Sequence, residues 1–107
     1  MILSTKLKNA INAKSNGMNL QFTLKNININ GQKRGCSGFI RNTENGAVVY
    51  VNTEDSCLSN LHYMYRYADS ERDFTGYSNR WADSLEELAT GICRCLTTDG
   101  RANDRRI

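Results

Sequence analysis

The sequence has no proline, a single histidine and no long apolar run. Without a stretch approaching the ~20 apolar residues of a membrane-spanning helix, no membrane segment is predicted. The N-terminal stretch "MILSTKLKNAINAK" alternates lysine with apolar residues and lacks the apolar core of a signal peptide, so we expect a cytoplasmic protein. No linker or repeat divides the chain, which predicts one domain over 1–107 with a frayed polar tail at 98–107.

The shortage of histidine limits metal chemistry. His62 would need several of the four scattered cysteines to complete a zinc site. Cys93 and Cys95 form C-x-C, and on a helix two residues at this spacing point to roughly opposite sides, which makes a poor chelate. We predict buried free thiols, no metal site and no cofactor.

Catalytic motifs are missing as well. His62 lies in a predicted strand without an obvious Ser or Cys nucleophile, and the acids of "DSERD" at 69–73 have no partner motif. The glycine-containing stretch "GQKRGCSG" at 31–38 lacks the spacing of a phosphate-binding loop. None of the thirteen asparagines lies in an N-x-S/T glycosylation sequon. The sequence therefore predicts a protein that is not an enzyme.

The first helix is predicted near the N-terminus. Ser4 or Thr5 can cap it, and Gly17 can end it. Its lysines are left for solvent, whereas an apolar stripe is predicted to face the core. That stripe consists of Leu3, Leu7, Ala10 and Ile11.

The second helix is predicted in "DSLEELATGICRCL". Asp83 or Ser84 can cap it, since each is followed three residues later by a glutamate. Gly91 costs up to ~1 kcal/mol relative to alanine inside a helix, which indicates close packing against the sheet. The predicted core face consists of Leu85, Leu88, Ala89, Ile92 and Leu96.

Three strands are predicted between residues 20 and 54. The stretch "LQFTLKNINI" alternates apolar and polar residues, but its two isoleucines break the alternation, so we predict a bulge near Lys25 and Asn26. The pair Asn30 and Gly31 predicts a hairpin turn into "KRGCSGFIRN", and "TENG" predicts a second turn into "AVVYVN". The glycines at 35 and 38 suggest a twist, a bulge or the close approach of another backbone.

Residues 58–68 fit two patterns. As a strand, "LHYMYRYA" places its tyrosines on one face and His62, Met64 and Arg66 on the other. As a helix, the same region has an apolar stripe beginning at Leu58. The density of tyrosine favours the strand. Residues 69–80 are predicted to form a loop.

The predicted fold is α+β, in the order α-β-β-β-β-α, with an antiparallel sheet and both helices on one of its faces. The other face and the strand edges of such a sheet are open, and either can support a homodimer.

Charge is segregated along the chain. Residues 1–43 carry seven basic residues and no acid, whereas residues 44–90 carry nine acids and three arginines. Such a basic half can follow a phosphate backbone. Alternatively, the basic and acidic segments lie side by side in the fold and neutralise each other. The candidate nucleic-acid-binding residues are Lys6, Lys8, Lys14, Lys33, Arg34 and Arg41.

Aromatic residues are concentrated in "YMYRYADSERDFTGYSNRW", residues 63–81. In a structural interpretation, alternate tyrosines point into the core and Trp81 closes its end. In a functional interpretation, Tyr, Trp and Arg form a contact patch, because these types dominate protein interfaces. Stacking on nucleic-acid bases uses the same chemistry. The candidate partner-binding residues are Tyr63, Arg66, Arg72, Tyr77, Asn79, Arg80 and Trp81.

The stretch "YRYADSERDFTGYSNRW", followed by "SLEELATGI", resembles small accessory proteins encoded by phages and conjugative elements of Gram-positive bacteria. In that pattern a Tyr-Arg-Tyr-Ala strand leads into an Asp-aromatic-Thr-Gly turn and an Asn-Arg pair, although Tyr77 here replaces a second glycine. Such mobile-element proteins include anti-CRISPR proteins, many of which are acidic mimics of nucleic acid. The net charge of +3 argues against mimicry of DNA.

The resemblance implies a non-enzymatic protein that binds and inhibits a host defence protein, for which a CRISPR-associated nuclease is the partner to consider. The alternative is a small accessory protein that binds nucleic acid through the basic N-terminal half. The two hypotheses use different residues, the candidate partner-binding set in one case and the candidate nucleic-acid-binding set in the other. The positions of these residues in the structure therefore help to decide between a protein and a nucleic acid as the partner.

Overall fold

The computed structural model describes residues 2–29, 31–54, 62–73 and 80–97. For Ile29, Lys33, Arg34, Glu54 and His62 it describes the backbone alone. The elements are α1 (Leu3–Lys14), β1 (Leu20–Ile29), β2 (Gln32–Asn42), β3 (Val48–Glu54), β4 (His62–Ala68), β5 (Arg80–Ala82) and α2 (Leu85–Thr97).

The five strands within the described residues form one antiparallel sheet in the order β1-β2-β3-β4-β5, so each strand pairs with its neighbour in sequence. This confirms the α+β class and the antiparallel sheet. The structure adds β5, which starts at Arg80, the last residue of the predicted loop, because three residues are too short for a periodic signal.

The two helices pack together on one side of the sheet, which we call the helix face. Leu7 and Ile11 of α1 and Leu88, Ile92 and Leu96 of α2 are completely buried, as their predicted positions required. Buried side chains of the central strands complete this core. The strand interpretation of 62–68 is confirmed, and its tyrosines point toward the helices.

The predicted N-terminal cap is confirmed for α2 and is wrong for α1. At α2 the cap is Ser84, whose Oγ accepts a hydrogen bond from the backbone N–H of Glu87 at 3.1 Å. The Glu87 carboxylate accepts one from the N–H of Asp83 at 2.7 Å. At α1 the predicted caps are wrong, because the helix already begins at Leu3, and its N-cap, Ile2, makes no side-chain cap hydrogen bond.

The turn between β2 and β3 holds the last turn of α2. Asn42 and Asn45 both donate from their side-chain amides to the carbonyl oxygen of Leu96, at 2.9 and 3.0 Å. Carbonyl groups in the last turn of a helix have no partner within the helix, so these two amides satisfy an acceptor that α2 leaves open.

The bulge is not at Lys25 and Asn26 as predicted. The register between β1 and β2 shifts between Ile27 and Asn28, where the extra residue is in β2. Ile27 therefore keeps its place opposite Gly35 instead of turning to the helix face. The predicted close approach of a backbone is confirmed at Gly38, which has a φ of 148° and lies against the main chain of β1.

Candidate binding surface on the back of the sheet

The sheet has a second face, which we call the back face, that neither described helix covers. Its side chains follow from the strand register. One row across the sheet is Thr23, Phe39, Tyr50 and Arg66, and the next is Lys25, Ser37, Asn52, Met64 and Trp81. Described side chains of the strands contribute three cations to this face, Lys25, Arg41 and Arg66, and no acid.

The segment Asp69–Asp73, which we call the strap, crosses part of the back face. Arg66 holds it from below, donating to the carbonyl oxygen of Asp73 at 2.7 Å and lying 3.6 Å from the Asp73 carboxylate. The Arg66 guanidinium also stacks on the ring of Tyr50, 4.5 Å from its centroid. Arg66 is consequently only 2% exposed.

Glu71 fastens the middle of the strap to the first two strands. Its carboxylate accepts a hydrogen bond from Thr23 Oγ1 at 3.1 Å and lies 3.5 Å from Arg41 Nη1. Beneath the strap, Phe39, Val48 and Ala68 form a second, smaller buried cluster. The strap therefore lies over part of the back face, where Phe39, Val48 and Ala68 are buried.

The part of the back face that no described segment covers ends at Trp81. Its side chain is 65% exposed, although tryptophan is the largest apolar residue in the chain. Met64 pairs with it across the strands and is half-buried, as is Asn52 in the next strand. We call Asn52, Met64 and Trp81 the Trp81 surface.

The structure separates the predicted partner-binding residues. Tyr63 is 3% exposed on the helix face and Arg66 is buried under the strap, so the expectation that both lie in a surface patch is corrected. Arg80 is also on the helix face, with its guanidinium 5.1 Å from the ring centroid of Tyr67. Arg72 is exposed on the strap.

Trp81 is the member of the set that is exposed on the back face. Its place there rules out the structural interpretation in which it closes the end of the core. Tyr77 and Asn79 lie outside the described residues.

The predicted basic surface is divided as well. Lys14 lies 3.3 Å from Glu86 and Arg41 lies 3.5 Å from Glu71. In both cases a basic residue of segment 1–43 forms an ion pair with an acid of segment 44–90, as in the alternative in which the two segments neutralise each other. Lys6 and Lys8 are exposed on α1, on the other side of the sheet from Arg41. The side chains of Lys33 and Arg34 lie outside the described part of the chain.

The described cysteines, Cys36, Cys93 and Cys95, are buried thiols outside any disulfide, as predicted; Cys57 lies outside the described residues. Burial raises the pKa of the Cys36 thiol to about 11 and also raises the pKa of the Cys93 thiol. Both are therefore protonated and poorly nucleophilic at neutral pH. Among the described residues, no group of three or more His, Cys, Asp or Glu side chains could hold a metal ion.

Sequence reasoning missed the strap and, within the Trp81 surface, Asn52 and Met64. Glu71 was assigned to a loop without a partner motif, and its contacts with Thr23 and Arg41 join residues 30 to 48 positions apart. The signal for Met64 was available, because the strand interpretation placed it on the face opposite the tyrosines. Without β5, however, nothing brought it next to Trp81.

No protein-family model, curated protein or solved structure matches this chain. Neither described helix is long and apolar enough to cross a membrane.

Proposed function

We propose that this chain is a non-enzymatic binding protein that contacts a protein partner through the Trp81 surface. The observation that carries the proposal is the 65% exposure of Trp81 beside Met64 on a sheet face. Tryptophan and methionine are enriched in protein interfaces, and tryptophan is among the residues whose truncation costs most binding energy.

A rigid frame supports this use of Trp81. It belongs to a strand that pairs with β4, and the next residue, Ala82, is buried in the core. A side chain held by a sheet loses less conformational entropy on binding than one in an unpaired segment. The backbone of the Trp81 surface is therefore already ordered before a partner binds.

Charge favours a protein over nucleic acid as the partner. Lys14 and Arg41 each pair with a carboxylate of the same chain. To bind phosphate they would first have to break these ion pairs, which would offset part of the free energy gained from the phosphate contacts. The exposed Lys6 and Lys8 lie on the opposite side of the sheet from Trp81, which leaves Lys25 as the exposed lysine in the row of Trp81.

The resemblance to mobile-element proteins points to a partner in host defence. We propose inhibition of a CRISPR-associated nuclease in the bacterial cytoplasm as the activity to test first. Inhibition by occupying a protein surface requires no catalytic residue in this chain.

The test is a pull-down from bacterial lysate treated with nuclease, followed by binding and cleavage assays with any nuclease recovered. Trp81→Ala should weaken the complex by roughly 30-fold or more, the size expected for a hot spot. Ile2→Ala is the matched control, because Ile2 is the other exposed large apolar residue among those the structure describes, at 39%, and lies outside the sheet.

Two results would contradict the proposal. Equal binding by the Trp81 and Ile2 variants would remove the Trp81 surface from the interface. Loss of all captured partners on nuclease treatment, with affinity that falls steeply as salt increases, would favour the nucleic-acid alternative.

A further inference from the structure

The edge of the sheet opposite β5 presents a second interaction surface. It is formed by β1, which has ten residues and pairs only with β2 among the described strands. Proteins usually protect such an edge with charges, proline or a short strand. β1 is long, has no proline and carries one charge, Lys25.

The direction of the backbone groups of β1 can be assigned from two contacts. The carbonyl oxygen of Asn19, just before the strand, accepts a hydrogen bond from the N–H of Thr43 after β2. The carbonyl oxygen of Thr23 lies against Gly38 of β2. Because these groups alternate along an antiparallel strand, Phe22 and Leu24 direct their N–H and C=O groups away from β2, toward the outer edge.

The same residues leave apolar surface at that edge. Leu20, Phe22 and Leu24 pack against the main core but remain only partly buried. An open groove of about 250 Å³ runs beside Phe22 and Leu24. Its other wall is formed by Ser4, Thr5 and Lys8 of α1, and the Lys8 ammonium lies 5.4 Å from the centroid of the Phe22 ring. Phe22 and Leu24 thus remain partly open to solvent at the β1 edge.

We propose that a second copy of the chain pairs with this edge, β1 against β1, in an antiparallel arrangement around a two-fold axis at Thr23. The pairing places Phe22 opposite Leu24 of the second copy on the helix face and joins the two sheets into one of ten strands. Opposite residues share a face, so this register brings Phe22 and Leu24 of the two copies together, whereas Leu20 lies opposite Asn26.

The charge of the strand fits a second copy. In this register Lys25 lies opposite Gln21 of the other chain, and the two lysines never face each other. Because the interface is isologous, each favourable pair occurs twice. The Trp81 surface is at the far edge of each sheet, so the dimer would present two copies of it. The proposed dimer does not depend on the proposed function.

The test is sedimentation velocity of the purified full-length protein over a range of concentrations, with charge variants at Gln21. Gln21→Glu places a carboxylate opposite Lys25 of the second copy and should tighten the dimer, whereas Gln21→Lys places like charges together and should weaken it. Two symmetric pairs predict a difference of about tenfold in the dimer Kd between these variants at low salt. Thr90→Glu and Thr90→Lys, at an exposed position of α2, control for net charge and should leave Kd unchanged.

Amide hydrogen exchange by NMR gives an independent measurement. Protection of the Phe22 and Leu24 amides should rise with protein concentration, whereas the amides of Gln21 and Thr23, which face β2, should be protected throughout. A protein that stays monomeric up to about 1 mM would overturn the proposal. So would a dimer that responds equally to the Gln21 and Thr90 charges, or β1 amides that become protected only when the partner of the Trp81 surface is added.

Discussion

The phenol of Tyr65 in β4 lies directly against Gly91 in the middle of α2. A Cβ atom added at Gly91 would come within 2.6 Å of Cζ of Tyr65 and closer still to its hydroxyl oxygen. The predicted close packing of α2 on the sheet is thereby confirmed, and the partner is a tyrosine of the aromatic-rich segment. The missing side chain lets the helix approach the sheet over the strand that carries the tyrosines.

Gly91→Ala should lower the free energy of unfolding by about 1 to 3 kcal/mol, because the added methyl group forces Tyr65 or α2 to move. Helix propensity alone predicts the opposite, a gain of up to ~1 kcal/mol. Thr90→Ala, one residue earlier and exposed, is the control for propensity. Urea unfolding of the Gly91→Ala and Thr90→Ala variants distinguishes the steric loss from the gain in helix propensity. Adding Tyr65→Phe to Gly91→Ala should recover part of the lost unfolding free energy. A more stable Gly91→Ala variant would refute the close packing.

Asn42→Ala should destabilise the protein by about 1 to 3 kcal/mol. The side chain is 3% exposed and makes two hydrogen bonds, donating to Leu96 O and accepting from Glu44 N–H at 3.0 Å. Removing it leaves buried backbone groups without that partner. Asn45→Ala should cost less, since Asn45 is exposed. Thermal unfolding of the two variants checks the order, and equal losses would contradict it.

Asp73→Ala should destabilise the protein by roughly 2 to 4 kcal/mol, because the buried Arg66 guanidinium loses its carboxylate while the strap's backbone contact remains. Arg72→Ala, in the exposed part of the strap, should stay within about 0.5 kcal/mol of the parent. Chemical unfolding measures both. If the two variants lose the same stability, the strap is not held by Arg66.

Alkaline pH should weaken the fold. Burial raises the pKa of Cys36 from 9.0 to about 11, so the folded protein keeps this proton when the unfolded chain has lost it. The contribution to stability is complete below pH 9 and is lost as pH rises through 11, at up to about 1.4 kcal/mol per pH unit. The raised pKa values of Cys93 and Tyr65, due first to burial, act in the same direction.

Urea unfolding between pH 8 and 11 tests this dependence. Cys36→Ala should show a shallower decline of the unfolding free energy than the parent, whatever its stability at pH 8. A parallel decline in the two proteins would show that the Cys36 thiol does not contribute.

Regular patterns made most of the fold predictable from the sequence. The stripes of α1 and α2, the meander of three strands and the tyrosine face of β4 all repeat over several residues, and burial follows the same period. The bulge was misplaced because Ile27 breaks the alternation whichever strand carries the extra residue. Only the pairing with Gly35 shows that it is in β2.

The candidate site was harder to predict because it depends on contacts between distant residues. Composition correctly indicated that Trp81 could be exposed, but it indicated exposure for Tyr63 and Arg66 equally. Their burial depends on the helices and on the strap, and in particular on the pairing of Arg66 with Asp73. Residue type alone does not separate an arginine that binds a partner from one that holds a loop.

The order of the strands has a consequence for synthesis in the cell. Because every strand pairs with the one before it, hairpins can form successively as the chain leaves the ribosome, and contacts close in sequence favour fast folding. The helix face is different, since α2 follows all five strands and supplies Leu88, Ile92 and Leu96 to the core. Until α2 emerges, the nascent sheet exposes apolar side chains, and this interval is when it is most open to chaperones or to aggregation.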